Sequence, residues 1–361
     1  MTTLLSLPRE LRDQIVEDLA WIPLDPPKDT TALLAEDRMP NPVPKTRLWS
    51  DTWYADVLRF EKQSAIGKSV RPLMLVNHQL YQETKEALAR LAKKPVDYVL
   101  DILYSRNAHF YPTWLSVPTF SSNVRTIYTQ FRFPNMLDTD VFSNPKGPVS
   151  HRTFYPIFHR LLSDLTRFGP RGKATRGRIG KKRKAKKGSK SSSTRHPPVS
   201  GDGITIENLI IDFVPTDGPN VLPLWPYVTS DNNLLSALQR DNWKVPPDSS
   251  LVAGDVMSDR LIDGLFLWTY KFSHHCQGRN QFLYEVVGNI EIRLNGMLKE
   301  RFDLGSRFAE LTTDPGYGSL FPHEEQLKQF QEWLRTVAQK REAAGLKFTA
   351  TNVNQIPEEP I

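Results

Sequence analysis

The residues that could do chemistry come first, and most fail on spacing. Gly67-Lys68-Ser69 has the closing triplet of a phosphate-binding loop, but that motif needs a glycine five residues earlier, and position 62 is Lys. Without the glycine-rich cradle the backbone cannot wrap a phosphate. His274-His275-Cys276 offers metal-ligating atoms, yet adjacent side chains point apart and no second ligand pair lies at zinc spacing. His151 and His159 flank an apolar stretch and read as structural. No Gly-x-Ser-x-Gly elbow, paired-carboxylate motif or Gly-x-Gly-x-x-Gly turn is present. The expectation is a non-enzyme with no catalytic residue, no metal and no cofactor; a catalytic α/β protein with dispersed groups is the weaker reading.

Charge is the next feature with chemical consequence. Residues 171–195 hold twelve Lys and Arg and no Asp or Glu. Removing those twelve from the net +7 leaves 7 − 12 = −5 for the rest of the chain. The body is therefore mildly acidic, which argues against a nucleic-acid-binding surface spread over the fold. Within the run, Lys181, Lys182, Arg183 and Lys184 have the composition of a nuclear-import signal, implying an import receptor as partner and a nuclear or nucleus/cytoplasm location. A dense charge with Gly and Ser and no apolar face predicts disorder for the basic insertion at 170–203. No run approaches ~20 apolar residues, so no membrane span is expected. The N-terminus lacks a secretory pattern, and the one cysteine, Cys276, precludes an internal disulfide framework. An intracellular protein is the default.

The elements around these groups are legible in part. Leu7, Leu11, Ile15 and Leu19 recur every four residues behind Pro8, with Arg9, Arg12, Asp13 and Glu17 on other faces, predicting an amphipathic helix. A Pro-rich insertion follows at 23–47, and Leu48 to Phe60 reads as a second helix. Leu73 to Leu91 reads as one helix, burying Leu73, Val76, Leu80, Leu88 and Leu91 and carrying a Glu86–Arg90 pair outside. Beyond Pro95 the period falls to two. Strands are expected at Val96–Tyr104, Val124–Phe133 and Ile204–Val214, the last interior because both its faces are apolar. Trp114 to Pro118 reads as an extended connector, Phe154–Phe168 and Asn233–Arg240 as helices, and Leu261–Phe272 as either helix or strand. Asn295-Gly296 marks a hairpin, for which cross-strand pairing favours a three-residue bulged loop with Gly296 left-handed. Glu324 to Ala344 reads as a final helix with Leu327, Phe330, Leu334 and Val337 inward and Gly345 capping it. The tail at 346–361 is expected to be disordered.

Leu7 to Ile15, as Leu-Pro-x-Glu-Leu-x-x-x-Ile, resembles the opening of the F-box, a helical module that docks a protein onto the Skp-type linker of cullin ubiquitin ligases. In F-box-like proteins of filamentous fungi a segment like Leu-Leu-x-Val-x-Arg-Gln-x-Tyr-x-Glu follows. Here Leu73, Leu75, Val76, Gln79, Leu80, Tyr81 and Glu83 match it, with His78 where arginine is common. The two pieces cover roughly forty residues, and about fifty separate them, where a compact F-box has a short turn. The resemblance implies an F-box-like helical module at 1–95, and the strands alternating with helices beyond it imply a mixed α/β body at 96–345, making an α+β chain. That body could take a short, irregular leucine-rich-repeat-like form, although no fixed period is visible. It also implies a substrate receptor that binds a Skp-type linker through Leu7, Pro8, Leu11 and Ile15, with Leu19 facing inward, and an unknown protein substrate. The alternative is a nuclear nucleic-acid- or chromatin-associated protein acting through the basic insertion.

Overall fold

The computed structural model describes residues 4–27, 33, 38–40, 58–61, 65–104, 109–133, 158, 160–166, 169–170, 204–215, 221–222, 251–252, 258–259, 261–263, 265, 271–272, 281–313 and 323–347. The expected helix at Asn233–Arg240 and residues 171–203 and 348–361 lie outside these residues. The expected disorder does not hold at Pro170, buried and accepting the Ala65 N–H (3.3 Å), nor at Leu346, buried, and Lys347, whose carbonyl accepts from Arg341 (2.8 Å). The architecture is mixed α and β. Six strands form its centre: β1 (Val96–Tyr104), β2 (Phe110–Ser116), β3 (Asn123–Phe133), β4 (Thr205–Pro215), β5 (Val287–Leu294) and β6 (Met297–Asp303). They lie in the order β6-β5-β4-β3-β1-β2. β1, β3, β4 and β5 are mutually parallel, and an antiparallel strand closes each side.

Parallel strands cannot be joined by tight turns, so the chain must leave the sheet between them. The four parallel strands occur in sequence order; from β1 to β3 the chain returns as β2 within the sheet, and crossovers of the usual hand put the two later links on one face. Burial follows that rule. Ile127, Phe131, Leu209, Ile211, Phe213, Ile290 and Ile292 all point to a single core. Phe158, Leu161, Leu162 and Leu165 from the helical turns at 160–166 and just before join it, as do Leu261 and Leu265. Phe131 stacks on Phe213 at 5.4 Å and meets Phe158 at 6.3 Å. Residues on the opposite face of β3, β4 and β5 (Tyr128, Gln130, Ile210, Glu291, Arg293) stay half-exposed.

Several expectations need correction. β2 is a strand, not a connector; every residue of it is buried, so it shows no alternation to read. The second-helix expectation fails at its end, where Leu58 bridges Phe110 and Arg59–Phe60 pairs with Met39–Pro40. Residues 48–57 lie outside the described set. The either/or at Leu261–Phe272 resolves into both, helical at 261–263 and extended at Lys271–Phe272.

The hairpin departs from the expected loop. Leu294 pairs with Met297, giving a two-residue turn with Asn295 at φ 52° and Gly296 at φ 78°. Both central residues being left-handed matches the strand twist. The extra residue sits further on: Arg293 faces Leu298 but Ile292 faces Glu300, so the bulge falls at Lys299. Without it Arg301 would oppose Ile290; with it Phe302 does, fully buried. The turn is also tied down from below, where Asn295 N–H donates to the Phe213 carbonyl (3.1 Å) and Gly296 N–H to the Asp212 carboxylate (3.0 Å).

Three helices close the core from the C-terminal side: α4 (Gln281–Val286), α5 (Leu304–Glu310) and α6 (His323–Ala343), numbered here after the three N-terminal helices described below. Phe330, Leu334 and Val337 of α6 are buried and Leu327 half-buried, with Gly345 left-handed after it. Arg341 is not the surface cation that a last-turn position suggests. It is fully buried, and its guanidinium donates to the carbonyls of Tyr284 (2.6 Å), Val287 (2.9 Å) and Lys347 (2.8 Å). Burial pulls its pKa down to about 10.

Two stability predictions follow from these clamps. Gly296→Val forces a β-branched residue to φ 78° and should cost about 1–3 kcal/mol, read by chemical denaturation; unchanged stability means the turn is wrongly assigned. Arg341→Met leaves three carbonyls at the α4–β5 junction and the C-terminal cap without their donor, and should cost roughly 2–4 kcal/mol. A change under about 0.5 kcal/mol, the ordinary surface range, would show that these carbonyls find other donors.

Candidate functional site: the N-terminal helix pair

The helical module is built from α1 (Arg9–Trp21), α2 (Arg71–Met74) and α3 (His78–Leu91). Pro8 ends up as the cap of α1 rather than its first helical residue. The expected single helix from Leu73 to Leu91 is broken, because Asn77 leaves the helical region and its side chain accepts the Leu80 N–H at 2.9 Å. That cap starts α3 afresh and leaves Leu75 and Val76 on the corner between helices, 85% and 63% exposed. Val76 was expected in the core, so the break overturns that assignment. Leu80 and Leu91 are buried as expected, while Leu73 and Leu88 are half-buried.

α1 turns a different stripe inward from the one its leucines mark. Arg12, Val16 and Ala20 are its buried residues, and Val16 and Ala20 pack with Val70, Ala87 and Leu91 in a small core of their own. Leu11 is 48% exposed and Pro8 exposed; Leu7, Ile15 and Leu19 are half-buried. Ala20 and Val16 are small enough to let two helices approach closely; Leu19 packs against this small core, as expected of it, whereas Leu11 is turned out.

The pairing of α1 with α3 is electrostatic along its length. Arg9 pairs with Glu86, Asp13 with Arg90 (2.8 Å) and Glu17 with Lys94 (3.8 Å). The three offsets are equal, 86 − 9 = 90 − 13 = 94 − 17 = 77, so the helices run in the same direction with charges matched turn by turn. The expected Glu86–Arg90 pair within α3 does not form the contact; each residue reaches across to α1. These outer pairs are solvent-exposed and hold register more than they add stability.

Arg12 and Glu83 are different. Both side chains are nearly enclosed, and Arg12 Nε and Nη2 donate to Glu83 Oε2 (2.8 Å) and Oε1 (2.6 Å). Arg12 Nη1 donates further to the Leu5 carbonyl (3.3 Å) and to the Leu7 carbonyl. Gln79 Nε2 donates to Glu83 Oε1 at 3.0 Å. The hydrogen bonds from Arg12, set against the penalty of burial, hold the Glu83 carboxyl down at about 2. Sequence reasoning put Arg12 on an outer face. Its signal was nonetheless present: 12, 16 and 20 share the spacing of 7, 11, 15 and 19, and the signs at 9, 13 and 17 complement those at 86, 90 and 94.

The other candidates resolve more simply. Gly67 has φ 61° and donates its N–H to the Val117 carbonyl (2.8 Å), while Lys68 Nζ reaches both Glu61 oxygens (2.9 and 3.0 Å). That is a tight turn with an ion pair, and no phosphate cradle. His151, His159, His274, His275, Cys276 and Lys181 to Lys184 lie outside the described residues. Among the described residues no cluster of three or more His, Cys, Asp or Glu could hold a metal, and no helix is long and apolar enough to cross a membrane.

A depressed carboxyl makes stability pH-dependent with a definite sign. Glu83 stabilises the folded helix pair fully above its ordinary pKa of 4.5, and that contribution is lost as pH falls from 4.5 towards 2. Acid titration followed by helix signal should show a loss in this window that Glu83→Gln removes; an identical acid limb in the variant would refute it. Comparison of the chain with protein-family models, curated proteins and solved structures gives no match.

Proposed function

We propose that the chain is a non-catalytic interaction protein: an F-box-like substrate receptor whose N-terminal helix pair docks on a Skp-type linker and whose α/β body receives a protein substrate. The observation carrying this reading is the orientation of α1. Its small residues face α3, and the aliphatic side of the Leu-Pro motif faces outward, with Leu11 48% exposed. A helix serving only its own fold would bury its largest apolar side chains. Leu75 and Val76, at the corner between α2 and α3, are a second uncovered apolar pair, and exposed apolar patches mark interaction sites. For the body, parallel strands in sequence order support a short leucine-rich-repeat-like arrangement, and the half-exposed Tyr128, Gln130, Ile210, Glu291 and Arg293 on its other face are the surface proposed to contact a substrate.

The second reading rests on the basic run at 171–195, whose twelve charges stand against a body of −5. A chain working through that segment would bind nucleic acid with a steep salt dependence that disappears when 171–195 is deleted. Lys181, Lys182, Arg183 and Lys184 fit nuclear import under either reading; replacing all four by Ala should shift a fluorescent fusion toward the cytoplasm.

The docking test uses exposed residues, so folding and binding separate. Pro8→Ala with Leu11→Ser should weaken linker binding at least tenfold. Completing the burial of one aliphatic side chain is worth up to ~1.5–3 kcal/mol, a sizeable part of the about 8 kcal/mol in a micromolar contact. Thermal stability should move within about 0.5 kcal/mol, as for other surface changes. Wild-type protein that fails to bind an active linker at micromolar concentration removes the adaptor reading.

A further inference from the structure

Arg12 lies outside the docking stripe, yet it touches the backbone that carries the stripe's first residues. Leu5, Ser6 and Pro8 are exposed and Leu4 and Leu7 half-buried, so no residue of 4–8 is anchored by full burial. Pro8 caps α1 without a side-chain hydrogen bond. Backbone bonds run within and next to the segment, from Leu7 N–H to Leu4 O (3.3 Å) and from Arg12 N–H to Pro8 O (3.2 Å), and the Arg12 side chain joins it to α3.

We propose that Arg12 is the positioning residue of the dock: it fastens the Leu5–Pro8 segment to α3 so that Leu7 and Pro8 are held in their docking geometry before the partner arrives. This rests on the docking reading above. The chemistry is that of a planar fork with donors in fixed directions. One edge is filled by the Glu83 carboxylate, bidentate at 2.8 and 2.6 Å; the remaining donor reaches the carbonyls of Leu5 and Leu7. Glu83 is steadied by Gln79, so α3 acts as a fixed post and Arg12 as the link from it to the N-terminal turn. A lysine at position 12 keeps the charge and can meet Glu83. Its single ammonium cannot also span to two carbonyls on the far side. Preordering a segment that would otherwise be ordered on binding raises affinity without adding a contact.

The test uses the full chain and two variants, Arg12→Lys and Glu83→Gln, read by amide hydrogen exchange at Leu5, Ser6 and Leu7, by thermal midpoint and by affinity for the purified Skp-type linker. Arg12→Lys should speed exchange at these amides at least tenfold and weaken linker binding about tenfold, with a small change in midpoint. Glu83→Gln keeps an acceptor for Arg12 and leaves both carbonyl bonds, so exchange and affinity should change less than threefold although the midpoint falls. A purely structural ion pair gives the opposite pattern, with affinity following the midpoint in both variants. Unchanged exchange in Arg12→Lys overturns the proposal whether or not the linker binds, as does faster exchange with unchanged affinity. If both variants unfold the helix pair, the pair is structural and the positioning role falls. Failure of the wild type to bind the linker is a separate result that removes the docking reading itself, and the positioning role with it, even where the exchange result stands.

Discussion

Parallel pairing is the constraint from which the body of the molecule follows. Once β1, β3, β4 and β5 run in one direction, each link between them must travel back, the first as β2 within the sheet and the two later ones, by crossovers of the usual hand, over one side. That side became the core, with Phe131, Phe213 and Ile292 as its floor. The other side is covered differently. Asp101 survives there fully buried because Arg132 pairs with it at 2.5 and 2.7 Å, although burial still pushes the Asp101 pKa up. Arg132 also donates to the Pro27 carbonyl (2.7 Å), and Leu33 packs on Leu103 and Tyr111. The Pro-rich segment after α1 thus supplies cover over β1 and β2, with Leu33 in helical conformation, while Tyr128, Gln130, Ile210, Glu291 and Arg293 on β3 to β5 stay half-exposed.

The two antiparallel edges solve different problems. β2 is sealed: Leu24 N–H donates to Leu115 O, Gly67 N–H to Val117 O, and Leu58 bridges Phe110. The same contacts moor the helical module to the sheet, since Leu24 follows α1 directly and Gly67 precedes α2. At the other edge β6 exposes all but Phe302, and is guarded by charge and by a bulge, both of which discourage further strand pairing. Gly288 shows how tightly the β4–β5 seam is closed, because a Cβ there would lie 2.5 Å from the Glu207 carbonyl.

Legibility in the sequence divided along physical lines. Local signals held: the period-two runs of β1, β3 and β4, the Asn-Gly turn, and the apolar stripe and glycine cap of α6. Signals depending on distant neighbours did not. β2 carries Pro112 and no alternation, so only its pairing with β1 reveals it. The position of the hairpin bulge answers to the burial of Phe302, which the turn residues and cross-strand charges around Asn295-Gly296 do not reveal. Arg341 and Arg12 look like ordinary helix-surface cations until three carbonyls and one carboxylate close around them.

The long insertion between the two F-box-like pieces has a structural counterpart in the direction of α3. Helices joined by a short turn must pack antiparallel; a link running from Ile22 to Val70 lets α3 return to the starting end of α1 and lie parallel to it. Parallel packing sets Arg9 beside Glu86, Asp13 beside Arg90 and Glu17 beside Lys94, so the start of α1 lies level with the middle of α3. In that register Glu83 falls within reach of Arg12, and one guanidinium serves both helices. The distance in sequence between the two helices is therefore what their parallel register depends on.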